Sequence, residues 1–413
     1  MKLIRSDMTG SSSISRRGLL KGAVGTAVMA GVNGTWTRPS LASGFTADRS
    51  LKIGFIAPLT GPISPEGEAM RRGLELGLAK INAIGGLGGK PVEMVTQDNQ
   101  SQPSMASMIA KKFIQQEKVD LVVGTVTYDE TTAVRGIASI YRTPFVQLEA
   151  GNYATAATKA DSCGGSMIPL GETVSQMIDP IIPFMTSRFG KRWAFVGSDY
   201  QFPRDYTNYA KTKLTAAGGT VLAEEFAPLG TGDWSSVISK LKAAGPDVVL
   251  SSVVGGDAIA FIKAAESLGF LVKTKVTGIS LQPEFYPALG SAIDGQFTVA
   301  RYTPEISNER NAEFVRQYKE AYGEGPIPSV ASSAFDCWNF IAAAIERAGS
   351  FDAAKVLQAF DNLEVRSILS EGALKVAPAS RGVDYPMYVC EILPGGTWKI
   401  AENAGVLPSG LTC

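Results

Sequence analysis

Residues 51–58 read LKIGFIAP, an apolar run that ends at a proline and is typical of a short buried β-strand. A helical pattern follows, because residues 66–83 repeat apolar side chains at spacings of three and four. A second strand is predicted at residues 92–96, a second helix at 105–116 and a third strand at 120–124. Strands that alternate with helices in this way predict a parallel sheet covered by helices.

The same alternation begins again in the second half of the chain. Helices are predicted near residues 172–188, 204–217, 234–244 and 257–268, and strands at 193–197, 221–226, 247–251 and 275–278. Two long helices near 312–322 and 332–347, and then shorter strands, complete the chain. Because 413 residues exceed the size at which one core usually keeps growing, the restart predicts an α/β protein with two doubly wound parallel-sheet lobes.

Residues 1–42 have the organisation of a signal peptide. The arginine pair Arg16–Arg17 precedes a weakly apolar stretch at 22–32, and small residues follow at 40–42. These three regions together predict export, and the adjacent arginines are typical of a twin-arginine signal. An ordinary amphipathic helix is the alternative. We therefore expect a mature chain that starts near Ser43 and resides in the periplasm.

The composition excludes several classes of function. The chain has no histidine, which removes Ser-His-Asp and Cys-His catalysis and every histidine metal site. Six basic residues and one acidic residue fall within 1–42, so the rest is mildly acidic and offers no surface for nucleic acid. The glycines at 85–89 follow a helix instead of opening one, which predicts a turn and no nucleotide site. We expect no metal, no other cofactor and no membrane-embedded segment.

Export would place the four cysteines in a compartment where disulfides persist. Cys163, Cys337, Cys390 and Cys413 show neither zinc-ligand spacing nor a Cys-x-x-Cys pair, and four cysteines allow three pairings. A bond between Cys390 and Cys413 would tether the C-terminal tail by about 3 kcal/mol on the chain-entropy account. Buried free thiols are the alternative.

The candidate ligand site follows from the predicted sheets, because open α/β sheets bind ligands outside the carboxyl ends of their strands. The loops that leave those ends are 125–130, 149–152, 198–203, 254–257 and 279–282, and plain connections are the alternative. Tyr200 and Phe202 offer flat walls to an organic ligand, or else they pack their loop onto the lobe.

Four carboxylates near these loops are candidates for a hydrolytic pair. They are Glu66, Glu149, Asp199 and Asp257. Exposure to solvent is the favoured interpretation for any one of them, since the separation that defines such a pair cannot be derived from sequence. Glu149 is the exception, because it interrupts an apolar strand end at a predicted loop.

Residues 53–62, 81–86, 119–124 and 246–249 read IGFIAPLTGP, INAIGG, VDLVVG and PDVV. Together these segments resemble the periplasmic binding proteins of the leucine/isoleucine/valine type, which feed the hydrophobic amino-acid class of ABC importers. The resemblance covers nearly the whole mature chain. It implies the type I periplasmic-binding-protein fold, in which two lobes close on a solute about a three-segment hinge, and no enzymatic activity.

Within that family, residues 197–204, 218–221 and 228–230 look closest to the branch that binds urea and short aliphatic amides. Two positions depart from the amino-acid pattern. Tyr128 stands where the resemblance implies a carboxylate-binding serine, and Ser280 stands where it implies an ammonium-binding glutamate.

A buried ammonium without an anionic partner is costly, so a zwitterionic ligand would need another acid, such as Glu149 or Asp257. The ligand therefore stays open between an amino acid of the branched-chain type and a urea or small amide.

The lobes that the resemblance implies are interleaved along the chain. They are residues 51–167 plus 302–369 for the N-terminal lobe and 170–299 plus 372–400 for the C-terminal lobe, with a tail at 401–413. The hinge segments are expected near Met167–Pro169, Thr298–Arg301 and Leu369–Glu371. The ligand is expected against Tyr128, Glu149, Ala150 and Gly151 of the first lobe and Tyr200, Phe202, Val254 and Ser280 of the second.

The sequence thus predicts an exported, monomeric solute-binding protein that delivers a small molecule to an inner-membrane ABC permease. Two other classes stay open. A ligand-sensing regulator is one, because the amide-binding branch includes cytoplasmic sensors, although the predicted signal argues against it. A secreted hydrolase is the other, and the lack of histidine and of a nucleophile motif disfavours it.

We expect the double substitution Arg16→Lys and Arg17→Lys to hold the precursor in the cytoplasm, because twin-arginine export depends on the arginine pair. Cell fractionation followed by immunoblotting measures the distribution. Arg5→Lys, outside the pair, is the matched control and should be exported normally. Normal periplasmic accumulation of the double variant would contradict the prediction.

Overall fold

The computed structural model describes residues 45–149 and 165–411, and the structural statements below concern those residues. The predicted signal segment and the predicted site residues Ala150 and Gly151 lie outside the described residues. Among the helices in the described ranges, none is both long and apolar enough to cross a membrane.

Strands and helices alternate along the described chain. The strands are β1 (Lys52–Ala57), β2 (Glu93–Asp98), β3 (Leu121–Gly124), β4 (Phe145–Gln147), β5 (Met167–Pro169), β6 (Arg192–Ser198), β7 (Thr220–Ala227), β8 (Val248–Ser252), β9 (Lys275–Gly278), β10 (Phe297–Ala300), β11 (Glu364–Arg366), β12 (Ala373–Lys375), β13 (Tyr385–Leu393) and β14 (Thr397–Leu407). The helices are α1 (Ser64–Ala83), α2 (Pro103–Gln115), α3 (Tyr128–Tyr141), α4 (Val174–Phe189), α5 (Gln201–Ala216), α6 (Ser235–Ala244), α7 (Gly255–Ser267), α8 (Tyr286–Leu289), α9 (Glu309–Tyr322), α10 (Ser329–Ala348) and α11 (Ala353–Phe360). Short 3₁₀ segments, Pro283–Phe285 and Gly290–Ile293, flank α8.

The first lobe is built on a parallel sheet with the strand order β2-β1-β3-β4-β5. Side chains of β1 enter a core on each face of this sheet, with Ile53 and Phe55 in one core and Ile56 in the other. Helices α2 and α3 pack together, as do α1 and α10. A strand that is covered on both faces reads as a continuous apolar run, which explains the pattern of residues 51–58.

The second lobe combines two sheets. Strands β6 to β9 form a parallel sheet in the order β7-β6-β8-β9, and β10, β13 and β14 form an antiparallel sheet in the order β10-β13-β14. Strand β10 lies beside β9, and α4 packs against β10 and β13. Trp193 and Phe195 of β6 are fully buried.

The predicted α/β fold with two lobes built on parallel sheets is confirmed, and the predicted strands agree with β1, β2, β3, β6, β7, β8 and β9 within two residues. Helix α3 was not predicted. Its N-terminus nevertheless carries the Thr-x-x-Glu pattern of a capping box, formed by Thr127 and Glu130.

Two predicted boundaries are wrong. Residues 401–407 belong to β14 and pair with β13, so they are part of a sheet and not of a tail. Leu369–Glu371 lies between β11 and β12, which pair with each other, and the chain joins the sheets of the second lobe only at β13. The third crossing between the lobes therefore lies after residue 375, later than the division between 302–369 and 372–400 implies.

Arg301, directly after β10, is a fully buried cation. Its guanidinium donates to the carbonyl oxygens of Leu148 (2.8 Å) and Leu170, and to Ser333 Oγ (2.6 Å). A carboxylate oxygen of Glu172 lies 3.0 Å from it. These partners follow β4 and β5 or lie on α10, so one side chain ties together segments of both lobes where the chain crosses.

Two of the four cysteines fall within the described residues. Cys337 and Cys390 are buried and form no disulfide with each other. Burial raises the pKa of both thiols. The proposed partner Cys413, like Cys163, lies outside the described residues, so the pairing of Cys390 stays a prediction.

Helix α1 packs so closely on α10 that a methyl group at Gly73 would lie 2.0 Å from the carbonyl oxygen of Ala331. We expect Gly73→Ala to lower the free energy of unfolding by about 1–3 kcal/mol, the usual cost of overpacking. Gly136→Ala is the matched control, because it lies on the exposed face of α3 with no atom near a new methyl group. It should be neutral or stabilising by up to about 1 kcal/mol. Urea unfolding measures both, and equal stability of the two variants would contradict this packing.

Candidate ligand-binding site

A cavity of about 60 Å³ lies between the two lobes. Many of its lining residues directly follow the carboxyl ends of β3, β4, β6, β8 and β9, where open α/β sheets bind ligands. From the first lobe the lining residues are Ile63, Glu66, Val126, Thr127, Tyr128, Glu149, Ser329 and Val330. From the crossing segments and the second lobe they are Glu172, Met177, Tyr200, Phe202, Val254, Ile279, Gln282, Glu284, Val299 and Ala300.

The structure brings together most of the residues predicted to hold the ligand. Tyr128, Glu149, Tyr200, Phe202 and Val254 all line the cavity. Phe202 is 5% exposed and packs on the ring of Tyr206 at a centroid distance of 5.8 Å. It is therefore both a wall of the cavity and part of the core of its lobe.

Ser280 is placed elsewhere. Its hydroxyl oxygen lies 2.6 Å from that of Ser251, and it donates to the carbonyl oxygen of Val253 at 2.7 Å. The side chain is fully buried and is absent from the described cavity wall. Its hydrogen bonds link the ends of β8 and β9, so its role in the structure is to fix these loops.

Sequence reasoning missed three glutamates on the wall, Glu66, Glu172 and Glu284. Solvent exposure was the wrong interpretation for Glu66, which is only 8% exposed. Glu66 lies on the first turn of α1, whose apolar face predicted the helix but not which polar residue would turn inward. Glu284 lies in a 3₁₀ segment with no periodicity that sequence reasoning can use.

The other two carboxylates considered from sequence have partners of their own. Asp257 accepts hydrogen bonds from the backbone N–H groups of Gly230 (2.6 Å) and Gly232 (3.2 Å). Asp199 pairs with Arg204 at 2.5 Å on the surface. Both side chains support loops of the second lobe, so Asp257 is not placed to hold a ligand ammonium.

The N-terminus of α3 reaches the cavity through Thr127 and Tyr128 and is capped by its own glutamate. One carboxylate oxygen of Glu130 accepts hydrogen bonds from the backbone N–H groups of Val126 and Thr127, each at 3.1 Å. The hydroxyl of Thr127 accepts from the N–H of Glu130 at 3.3 Å. Burial raises the pKa of Glu130, and these backbone donors oppose that effect.

The N-terminus of α7 is where the two lobes touch. The backbone N–H of Gly255 donates to Glu66 Oε1 at 3.0 Å, and that of Gly256 donates to the carbonyl oxygen of Pro62 at 3.0 Å. Both acceptors belong to the first lobe. Helix N-termini favour negative partners, so these contacts hold the lobes together beside the cavity.

Burial also changes the acidity of the wall. It raises the pKa of Glu66 well above its usual value, and the neighbouring charge of Glu284 adds to this. Burial and the charge of Glu149 raise the pKa of Glu284 to about 8. Within the described residues, no neighbouring cation lowers the pKa of Glu66 or Glu284 enough to offset the effect of burial.

The amino-acid sequence also matches a known protein family. A family profile described as periplasmic binding protein matches residues 50–397. The chain belongs to this family. A relative named Leu/Ile/Val-binding protein homolog 7, from Brucella suis, is 27% identical over 348 residues, which are 79% of this chain and 84% of the relative.

Solved structures of other binding proteins share the fold. A solute-binding protein of an ABC transporter from R. palustris, in complex with benzoate, is 25% identical with a TM-score of 0.77, over 88% of this chain and 99% of that one. A leucine-binding protein from Thermotoga maritima is 23% identical with a TM-score of 0.75, over 87% of this chain and 100% of that one. The predicted family, the type I fold and the expectation of a solute carrier without enzymatic activity are confirmed.

The closed arrangement of this binding protein depends on Gly255. Its φ is +60°, and a Cβ there would lie 2.2 Å from the carbonyl oxygen of Pro62. We expect Gly255→Ala to prevent the contact between the lobes and shift the protein toward an open form, which small-angle X-ray scattering detects as a larger radius of gyration.

Gly256→Ala is the matched control, because its Cβ would approach no atom closer than 3.9 Å. Identical scattering from both variants would contradict the assignment of this contact to the closed form.

Proposed function

We propose that this protein is the periplasmic solute-binding component of an ABC import system, acts as a monomer and delivers its solute to an inner-membrane permease. The solute is a small nitrogen compound, either an amino acid of the branched-chain type or a related small amide. The cavity between the lobes is the observation that carries this proposal, because contacts between the lobes enclose it. The sequence predicts no catalytic residues for this cavity.

The wall supports a nitrogen compound over an acid. Glu66 and Glu284 each have a buried side-chain oxygen without a hydrogen-bond partner within the described residues, and such oxygens match the N–H donors of a nitrogen compound. Benzoate, bound by the relative from R. palustris, is an anion and would meet these carboxyl groups without a lysine or arginine among the described lining residues. An aromatic acid is therefore the less favoured candidate.

The size of the cavity supports a small solute. Water needs about 10–15 Å³ of such space, so 60 Å³ holds roughly four to six water-sized groups in this closed form. Urea and short amides fit this space directly. A branched-chain amino acid would require the side chains of the wall to move.

A thermal-shift screen tests the proposed function. We expect at least one of leucine, isoleucine, valine, acetamide or urea to raise the melting temperature, because a ligand at 100 times its dissociation constant adds about 2.7 kcal/mol of stability. Ligand-binding variants sharpen the test. Phe202→Ala and Tyr128→Ala should each weaken binding by about 1–3 kcal/mol, since both lose wall area.

Tyr141→Ala is the matched control for Tyr128→Ala, because it lies at the other end of α3 and is exposed. The Tyr141→Ala variant should bind the solute found in the screen with the same affinity as the unaltered protein. Unchanged affinity in both wall variants would show that the solute binds elsewhere. Cell fractionation separates the proposal from a cytoplasmic sensor, and turnover of an amide by the purified protein would favour a hydrolase.

A further inference from the structure

Carboxyl groups lie on several sides of the cavity within the described residues. Four glutamates, Glu66, Glu149, Glu172 and Glu284, contribute to its wall. They come from α1, from the loop after β4, from the loop before α4 and from the 3₁₀ segment before α8. No lysine or arginine is among the lining residues that the structure describes.

The nearest cation does not serve the cavity. Arg301 pairs with Glu172 at 3.0 Å, and its two terminal nitrogens donate to Leu148, Leu170 and Ser333. These contacts hold the guanidinium behind the wall and neutralise Glu172. The carboxyl groups of Glu66 and Glu284 are left for a partner inside the cavity.

Backbone N–H groups at two helix N-termini beside the cavity already have hydrogen-bond partners within the chain. The N–H groups of Val126 and Thr127, at the start of α3, are bonded to Glu130. The N–H of Gly255, at the start of α7, is bonded to Glu66. The chain thus supplies its own carboxyl groups to the N-termini of α3 and α7, so these N–H groups are not available to an anionic ligand.

Two carboxylate oxygens on the wall are buried acceptors in need of donors. Within residues 45–149 and 165–411, Glu66 Oε2 and Glu284 Oε2 have no hydrogen-bond partner. Glu66 is only 8% exposed. Glu284 is half-buried as a residue, but its Oε2 atom is buried. A buried acceptor without a donor is costly, so both oxygens favour a ligand that donates.

Aromatic rings complete the wall. Tyr128, Tyr200 and Phe202 line the same cavity as the two carboxylates. Ring faces attract cations, and the attraction strengthens where water is excluded. A ligand with positively charged nitrogen therefore finds both kinds of partner that it needs.

We propose that the solute is a small organic cation, an amine whose ammonium group donates to Glu66 and Glu284 and lies against the aromatic wall. This inference rests on the proposed role as the solute-binding component of an importer, and it replaces the amino acid or amide proposed above with an amine. The N–H groups of Val126, Thr127 and Gly255 are already bonded within the chain, so these three offer no donor to the carboxylate of an amino acid.

Binding of an amine should depend on pH. Without ligand, the pKa of Glu284 is raised to about 8 by burial and by Glu149, so below pH 8 a proton occupies the carboxyl group that the ammonium must meet. Affinity for an amine should therefore rise as the pH increases toward 8, with release of a proton. The charged or titratable groups that surround Glu284 are Glu66, Glu68 and Arg72 of α1, Glu149, and Tyr318 and Tyr322 of α9.

Isothermal titration calorimetry with four matched probes tests the inference. Propylamine, propionamide, propionate and alanine carry cationic, neutral, anionic and zwitterionic head groups on the same short chain. We expect propylamine to bind about tenfold or more tightly than the other three, the ratio that 1.4 kcal/mol gives. Calcium chloride is a fifth probe, and binding of calcium in place of propylamine would overturn the proposal.

Variants assign the carboxylates. Glu66→Gln and Glu284→Gln should each weaken propylamine binding by about tenfold or more, the range of a charge-assisted hydrogen bond. Glutamine keeps an acceptor for Gly255, so Glu66→Gln retains the contact between the lobes. Glu75→Gln is the matched control on α1, because Glu75 pairs with Arg71 outside the cavity, and it should leave the affinity unchanged.

The outcomes separate the inference from the function on which it rests. Binding of propionamide, urea, alanine or leucine with no preference for propylamine would overturn the inference and leave the proposed function standing. Equal affinity of all three variants for propylamine would overturn the assignment to Glu66 and Glu284. Failure of every probe, and of every compound in the thermal-shift screen, would overturn both.

Discussion

The buried guanidinium of Arg301 is the interaction on which the arrangement of the lobes depends. It follows β10 and donates to groups that follow β4 and β5 and to a serine on α10. A buried cation that lost these partners would be left unpaired at a cost of several kcal/mol. Because Glu172 is its counter-ion, the same side chain sets the position of one carboxylate on the cavity wall.

Charge inside the cavity is governed by a second rule, which is that helix N-termini attract anions. In this chain the N-termini of α3 and α7 reach the ligand site, and carboxyl groups of the chain itself occupy both of these ends. Glu66 combines two tasks, since one oxygen joins the lobes and the other is turned to the cavity. Closure and recognition are therefore coupled through one side chain.

The sequence allowed the two lobes, most strands and five of the wall residues to be predicted, because these follow from apolar periodicity and from the ends of strands. The glutamates at positions 66, 172 and 284 could not be, since each becomes buried only through contacts between distant segments. Ser280 shows the opposite failure. It follows a strand, as wall residues do, but hydrogen bonds to Ser251 and Val253 turn it away.

The capping of α3 by Glu130 has a consequence for how specificity diverges. Glu130 is fully buried and is absent from the described cavity wall, yet it occupies two backbone donors at the edge of the site. A substitution at this one position would release both donors to the cavity. A residue outside the site thus determines which backbone donors the site can offer, so ligand preference can change while the residues in contact with ligand stay the same.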